Sequence, residues 1–238
     1  MTQEQSILKA KSEFDQMVTA IRKAVEQGQR IDLVEPDLWQ RMLEMSRLIL
    51  QGFVDLQGHG DLGATLEYEG HSLNRLEKLH DRRYVSVFGE LLISRVVYGT
   101  RETQKHDFIP LDARLCLPET DFSYLLQEWE QSFCVQGSYA KSSQSIDRIL
   151  SIGQSIHSLE DMNRFMGRDV GDCRHLVKDR MELTGMRWQT DGAQAMLDLR
   201  SVFLNDDWEA FQQYRIETNN RKLYPSRELI EAKWNVAA

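Results

Sequence analysis

The sequence predicts a mainly helical α+β protein that contains one β-hairpin. Through much of the chain, apolar residues recur every three or four positions, which is the spacing of one face of a helix. One segment, residues 84–98, is instead dense in β-branched and aromatic residues on both sides of a break at Gly89 and Glu90. That composition favours two paired strands.

The first third of the chain predicts two helices joined by a short polar loop. Gly28 is a plausible end for the first helix, and the second is expected to begin near Pro36 and Asp37. Such a pair indicates an ordinary antiparallel hairpin or a dimerising coiled coil, and both alternatives stay open. The expected apolar stripes are Ile7, Ala10, Phe14, Met17, Ile21 and Ala24 on the first helix, and Leu38, Met42, Met45, Ile49 and Leu56 on the second.

Changes in composition divide the chain into four segments. Residues 1–57 form the helical hairpin, and residues 58–110 form a turn-rich segment that carries the β-hairpin. Residues 111–170 are helical, and residues 171–238 contain the last helices, expected over 172–183, 191–204 and 206–222. Turn-forming glycine, asparagine and proline residues mark most of these boundaries.

The segment 111–170 has the outline of a helix-turn-helix. We expect helix starts at Asp121, Ser138 and Ser158, with a break at residues 151–153. Asn163, Arg164 and Arg168 on the last of these helices would then face DNA, helped by Lys141 and Arg148. The alternative interpretation is a solvated helix face without a ligand.

Composition limits the possible functions. The net charge of −8 over 238 residues argues against wholesale attraction to nucleic acid. Residues 71–115 carry a small basic excess, with eight Lys and Arg against six Asp and Glu. The three cysteines are widely spaced, so a structural zinc site is not expected. Neither a membrane span nor a secretion signal is predicted, so a cytoplasmic location is expected.

Two long blocks resemble transposases of the ISKra insertion-sequence group, which are DDE-type enzymes. Residues 37–170, including RRYVSVFGELLISRVVYGT and SLEDMNRFMGRDV, resemble the N-terminal region of these proteins. Residues 173–225, beginning CRHLVKDRMELTGMRWQTDG, resemble their C-terminus. The resemblance covers most of the chain. It identifies the chain as an internally deleted transposase, because the family's central RNase H-like segment is missing.

The join between the two blocks falls at Val170 and Gly171. In the family, a catalytic glutamate precedes this glycine, and here valine takes its place. DDE enzymes use divalent metal ions such as Mg²⁺, which carboxylates hold. Asp169 and Asp172 flank the position, but their partners would come from the missing sheet. The resemblance therefore implies no complete RNase H-like domain, no catalysis, no catalytic residue and no cofactor.

The resemblance implies binding to double-stranded DNA at the ends of the element. It also implies association into homo-oligomers or with full-length transposase, and nucleoid association if DNA is bound. The alternatives are a self-associating helical interaction fragment and a decayed gene product without a DNA role. Candidate DNA-binding residues lie around the β-hairpin (Arg82, Arg83, Arg95), in the helix-turn-helix-like segment (Arg148, Asn163, Arg164, Arg168) and after the join (Arg174, His175, Lys178, Arg180, Arg187). The alternative for the last group is a charged helix exterior.

Overall fold

The computed structural model describes residues 4–68, 70–99, 108–172 and 191–237, which group into two compact units. Unit 1 comprises Met1–Asp121 and Tyr224–Ala238, and unit 2 comprises Phe122–Leu223. Helices predominate, and the sheets are small and antiparallel. The predicted α+β class is therefore confirmed. The described chain contains no helix that is both long and apolar enough to cross a membrane.

Unit 1 begins with two long antiparallel helices, α1 (Gln5–Glu26) and α2 (Ile31–Leu56), which we call the helical hairpin. A hydrogen bond of 2.6 Å from Ser6 to Asp55 and an ion pair of 3.3 Å between Arg41 and Glu13 join them. The second helix begins before the expected start, so that Pro36 lies inside it. Pro36 lies in the second turn of this helix, and because it has no N–H, the carbonyl of Asp32 four residues earlier lacks its usual helical hydrogen bond.

The strands of unit 1 form two sheets. Strands β1 (Thr65–Tyr68), β2 (His71–Arg75) and β5 (Tyr98–Gly99) make an antiparallel sheet in the order β1-β2-β5. Strands β3 (His80–Ser86) and β4 (Gly89–Arg95) pair separately, with Ser86 opposite Gly89. The turn therefore lies at residues 87 and 88, two positions before the break expected at Gly89 and Glu90.

The prediction of a single β-hairpin is wrong, because β1 and β2 form a second one. Its strands bury little beyond Leu66 and Leu73, so they lack the β-branched and aromatic density that marks a strand in a sequence. Their turn uses Gly70, whose φ of 77° is favourable for glycine.

The core of unit 1 lies between the sheets and two short helices, α3 (Pro110–Leu115) and α9 (Arg227–Ala237). Tyr98 and Ile93 are fully buried there. The last helix is fixed by a cation–π contact of 4.5 Å between Arg114 and Trp234 and by a hydrogen bond of 3.1 Å from Lys233 to the carbonyl of Glu67. The tail from Arg227 to Ala237 is thus helical.

Unit 2 is helical throughout its described part. It contains α4 (Tyr124–Cys134), α5 (Tyr139–Leu150), α6 (Ile156–Asp172), α7 (Asp191–Leu204) and α8 (Trp208–Leu223). Ser123 caps α4, two residues after the expected Asp121, and Ser138 caps α5 as expected. The break at residues 151–153 is also present, with Ser151 at a φ of 55°.

Helices α6 and α7 pack closely in unit 2. A Cβ placed on Gly167 would lie 2.2 Å from that of Ala195, so this contact requires glycine. Val170 is buried beside Met166 and Leu199. Val170, at the boundary between the two blocks compared above, is therefore a core residue inside a helix.

Candidate functional site

Two candidate DNA-binding arginines, Arg82 and Arg95, are structural. Both guanidinium groups bind the same oxygen of Asp112, the first at 3.0 Å. Arg82 also donates to the carbonyl of Thr120 at 2.8 Å. Each arginine side chain is only 12% exposed, so the expectation that they face DNA is wrong. A buried arginine must be paired, and Asp112 is the partner that the sequence did not identify.

Arg83 differs from these two arginines because neighbouring residues of a strand point to opposite sides. Its side chain is about half exposed and forms an ion pair of 2.7 Å with Glu90 on the adjacent strand. Such surface pairs contribute little to stability and are easily exchanged for another partner. Arg83 therefore remains a candidate for contact with a ligand.

Asn163 does not face solvent, which corrects the prediction for this residue. It is fully buried, and its amide donates to the side-chain oxygen of Gln131 at 3.1 Å. The neighbouring candidates Arg164 and Arg168 are exposed on α6, and Lys141 and Arg148 are exposed on α5. Arg164 forms an ion pair of 3.0 Å with Asp161, one turn earlier on the same helix.

The candidates after the join lie outside the described residues. These are Arg174, His175, Lys178, Arg180 and Arg187. The helix expected over residues 172–183 lies almost entirely in the same gap. The two later helices, expected over 191–204 and 206–222, are present as α7 and α8.

Asp169, one of the two acids beside the join, is bound to an arginine. Arg215 is fully buried and donates from Nε to Asp169 Oδ2 at 3.0 Å. Its other nitrogens bind the side-chain oxygens of Gln127 and Gln212. This arrangement joins α4, α6 and α8 through one guanidinium. Nothing in the spacing of the sequence distinguishes Arg215 from its exposed neighbours.

A second buried polar pair joins α4 to the segment between α5 and α6. Glu130 is fully buried and accepts a hydrogen bond of 2.8 Å from Gln154. Its other carboxylate oxygen has no partner within the described part of the chain. Burial raises the pKa of Glu130 to about 8, although the bond from Gln154 opposes the rise. The carboxyl is therefore mostly protonated at neutral pH.

The described residues contain no group of three or more metal-binding side chains. Asp169 in particular is held by Arg215. Burial raises the pKa of the Cys134 thiol to about 11, so this cysteine is not activated as a nucleophile.

The largest feature at the surface is a row of exposed apolar side chains on the helical hairpin. On α1, Ala10, Met17 and Ala24 are buried, whereas Phe14 and Ile21 from the same expected stripe are exposed. On α2, the buried residues include Leu43 and Leu48, and most of the expected stripe is exposed or only partly covered. The sequence therefore predicted amphipathic helices correctly but placed much of the apolar stripe on the wrong side of the fold.

Most of the exposed apolar residues follow a seven-residue repeat on both helices, although Leu8, Ile31 and Leu33 do not. Their alternating spacing of three and four is the pattern of a seam between packed helices. We call these two rows together the hairpin face. Its members are Ile7, Lys11, Phe14, Val18, Ile21 and Val25 on α1, and Glu35, Trp39, Met42, Ser46, Ile49, Phe53 and Leu56 on α2.

Both rows lie on one side of the helical hairpin. Gln51 of α2 bonds both the N–H and the carbonyl of Leu92 on β4, so the sheet covers one side. At 3.6 residues per turn, Ile49 and Phe53 project away from that side of α2. The same geometry turns Phe14 and Ile21 in the same direction as Ile7, which packs against Gly52. The hairpin face is therefore continuous and lies opposite β4.

Comparison with family models, with curated proteins and with solved structures gave no match.

Proposed function

We propose that this chain is a self-associating interaction protein and that the hairpin face is its contact surface. The observation that carries the proposal is the exposure of this face. Phe14, Ile49 and Phe53 each leave half of their surface in water, at 50%, 52% and 51%. Isolated apolar side chains are ordinary on a protein surface, but a continuous row of them marks an interaction site.

The size of the hairpin face supports the same proposal. Large apolar and aromatic residues each have ~150–250 Å² to bury, so this set exposes on the order of 700 Å². Each partner in a standard protein interface buries ~800 Å². Two helices that present one apolar side can complete a four-helix bundle with a second hairpin. A second copy always supplies the same apolar surface.

The proposal predicts an association that depends on the hairpin face. Sedimentation of the full chain over a wide range of concentration should show a mass of two or more copies. Ile49→Glu and Phe53→Glu should each weaken association by about 100-fold, because a charge would be buried without a partner. Leu204→Glu is the matched control, since Leu204 is 72% exposed and lies outside the face.

Circular dichroism and thermal melting of each variant separate loss of association from loss of folding. Both glutamate variants should keep the helical signal, because the altered side chains are exposed. A wild-type chain that stays monomeric at the highest concentration would contradict the proposal. Equal weakening by Leu204→Glu would show that added charge, and not the hairpin face, controls association.

A second candidate function is binding to the ends of an insertion sequence, by a protein derived from a transposase. Arg164 and Arg168 support it, because they are exposed and lie one turn apart on α6. Exposed arginines of this kind can neutralise DNA phosphates. In this proposal the chain occupies element ends, or joins full-length transposase in mixed assemblies, without strand transfer.

Gel-shift titration of short duplexes with the element's ends tests this second candidate. Binding should weaken steeply as salt rises, and the double variant Arg164→Ala/Arg168→Ala should lower the salt slope by about 2. Lys9→Ala on α1 is the control. The absence of any shift at low salt would eliminate DNA binding.

A further inference from the structure

We infer that two copies pack their hairpin faces antiparallel, and that Lys11 and Glu35 set this orientation. The inference rests on the proposed self-association through the same face. It adds the orientation of the second copy's helices relative to those of the first, and the two residues that determine this orientation. Each row of the hairpin face carries one charged residue, which is Lys11 on α1 and Glu35 on α2.

The two charges lie at opposite ends of the helical hairpin. The contacts of Ser6 with Asp55 and of Ile7 with Gly52 show that Lys11 is level with the C-terminal half of α2, beyond Ser46. Glu35 lies near the start of α2 and is therefore level with the last turns of α1. At 1.5 Å per residue, the two charges are about 20 Å apart along the hairpin. They cannot pair within one copy.

Neither charge has an ion-pair partner among the residues that the structure describes. Both residues are exposed. In a four-helix assembly the seam becomes the interior, so each charge would lose water. A buried or half-buried charge is stabilised by an opposite charge nearby, which a second copy can supply.

Two symmetric arrangements of the hairpin faces are possible, and their charges differ. With the copies parallel, the two Lys11 residues meet at one level of the assembly and the two Glu35 residues meet at another. Like charges at an interface are destabilising. With the copies antiparallel, the end of one copy that carries Lys11 lies over the end of the other that carries Glu35. This arrangement brings opposite charges together twice.

Ser46 also fits the antiparallel arrangement. It occupies a seam position near the middle of α2, where the other positions hold large apolar residues. In an antiparallel pair of α2 helices, the central region of one copy packs against the central region of the other copy. A small side chain there allows the two backbones to approach closely, with larger residues filling the space on either side.

Charge reversal tests the inference on the full chain. Lys11→Glu and Glu35→Lys should each raise the dissociation constant of the dimer about tenfold. Each variant turns two attractions between the copies into two repulsions. The double variant Lys11→Glu/Glu35→Lys should return to the wild-type value. Lys9→Glu makes the same change of charge on the opposite side of α1 and should leave association unchanged.

The outcomes distinguish this inference from the proposed function. If Ile49→Glu abolishes association but neither charge reversal changes it, the face is correct and the antiparallel orientation is wrong. A double variant that stays as weak as the single variants would also overturn the inference. If the wild-type chain never associates, the proposed function itself fails. Weakening by the single variants should diminish at high salt, because salt screens exposed charges.

Discussion

The helices of unit 2 and the helical hairpin of unit 1 place their unusual residues in opposite ways. Unit 2 buries polar side chains, among them Gln127, Glu130 and Arg215, and most of them find partners. The helical hairpin exposes apolar side chains that the described part of unit 1 leaves uncovered. Buried polar groups must be matched within the fold, whereas exposed apolar groups can be matched by another molecule. The polar residues of unit 2 therefore stabilise its own fold, whereas the exposed apolar residues of the helical hairpin are available for contact with another molecule.

The largest test of this contrast removes the guanidinium that joins α4, α6 and α8. Arg215→Met should destabilise unit 2 by about 3–5 kcal/mol, because Asp169 would remain buried without its partner. Hydrogen exchange of the amides of α8 measures this loss locally. Arg168→Met is the control, since that side chain is exposed on α6. Equal protection of the α8 amides in both variants would mean that the hydrogen bonds of Arg215 contribute nothing to the stability of unit 2.

Unit 1 contains a buried ion cluster of its own, which offers a second test. Asp112→Ala should cost about 3 kcal/mol, because it leaves Arg82 and Arg95 close together without a counter-charge. Urea denaturation followed in the sheet residues of unit 1 measures the effect. Asp81→Ala is a suitable comparison, because Asp81 is exposed on the same strand as Arg82. A loss no greater than that of the comparison would show that solvent replaces Asp112.

Glu130 allows a test based on pH. Its pKa is near 8 in the folded chain and 4.5 without the fold. Folding therefore takes up a proton between these values, so stability should fall as pH rises from about 4.5 to 8 and then level off. Glu130→Gln should stabilise unit 2 by about 1–2 kcal/mol at neutral pH and should flatten this dependence.

Thermal melts of Glu130→Gln and of the wild type, taken across that pH range, provide the measurement. Glu160→Gln, on α6 outside the buried cluster, is the matched control and should keep the wild-type slope. A slope that persists in Glu130→Gln would assign the pH dependence to another group.

The smallest effect is expected on the hairpin face. Phe53→Ser should change the stability of the dilute, unassociated chain by less than about 0.5 kcal/mol, because the side chain is half exposed. Leu43→Ala on the same helix should cost about 2–4 kcal/mol, since Leu43 is buried. Denaturation at low concentration compares the two. Similar losses would show that the face is part of the core of unit 1.

Periodicity was sufficient to predict most of the helices, because helix formation is largely encoded by local spacing. The limits of α7 were predicted correctly, and Ser138 was recognised as a cap because capping depends on neighbouring residues. The strands β1 and β2 were missed because their few apolar residues become significant only when β5 and the core of unit 1 cover them. Strand pairing depends on distant residues.

For the candidate residues too, exposure that follows from local spacing could be predicted, whereas burial that depends on a distant partner could not. Arginine and asparagine on an amphipathic helix predict an exposed face, and for Arg164 and Arg168 the exposure is as expected. The burial of Asn163 depends on Gln131, which is 32 positions away. That of Arg82 depends on Asp112, which is 30 positions away. Neither partner can be found by helical or strand spacing.

The return of α9 to unit 1 has a consequence for biosynthesis. Unit 1 is interrupted by unit 2, because residues 122–223 lie between the two stretches that compose it. The ribosome therefore delivers all of unit 2 before it delivers the helix that covers the β1 and β2 sheet. The contacts of Trp234 with Arg114 and of Lys233 with Glu67 form only after these last residues are translated. Before α9 is translated, a nascent chain exposes both the hairpin face and the part of the unit 1 core that α9 covers. Neighbouring nascent chains are therefore most exposed to premature contact while residues 122–223 are being synthesised.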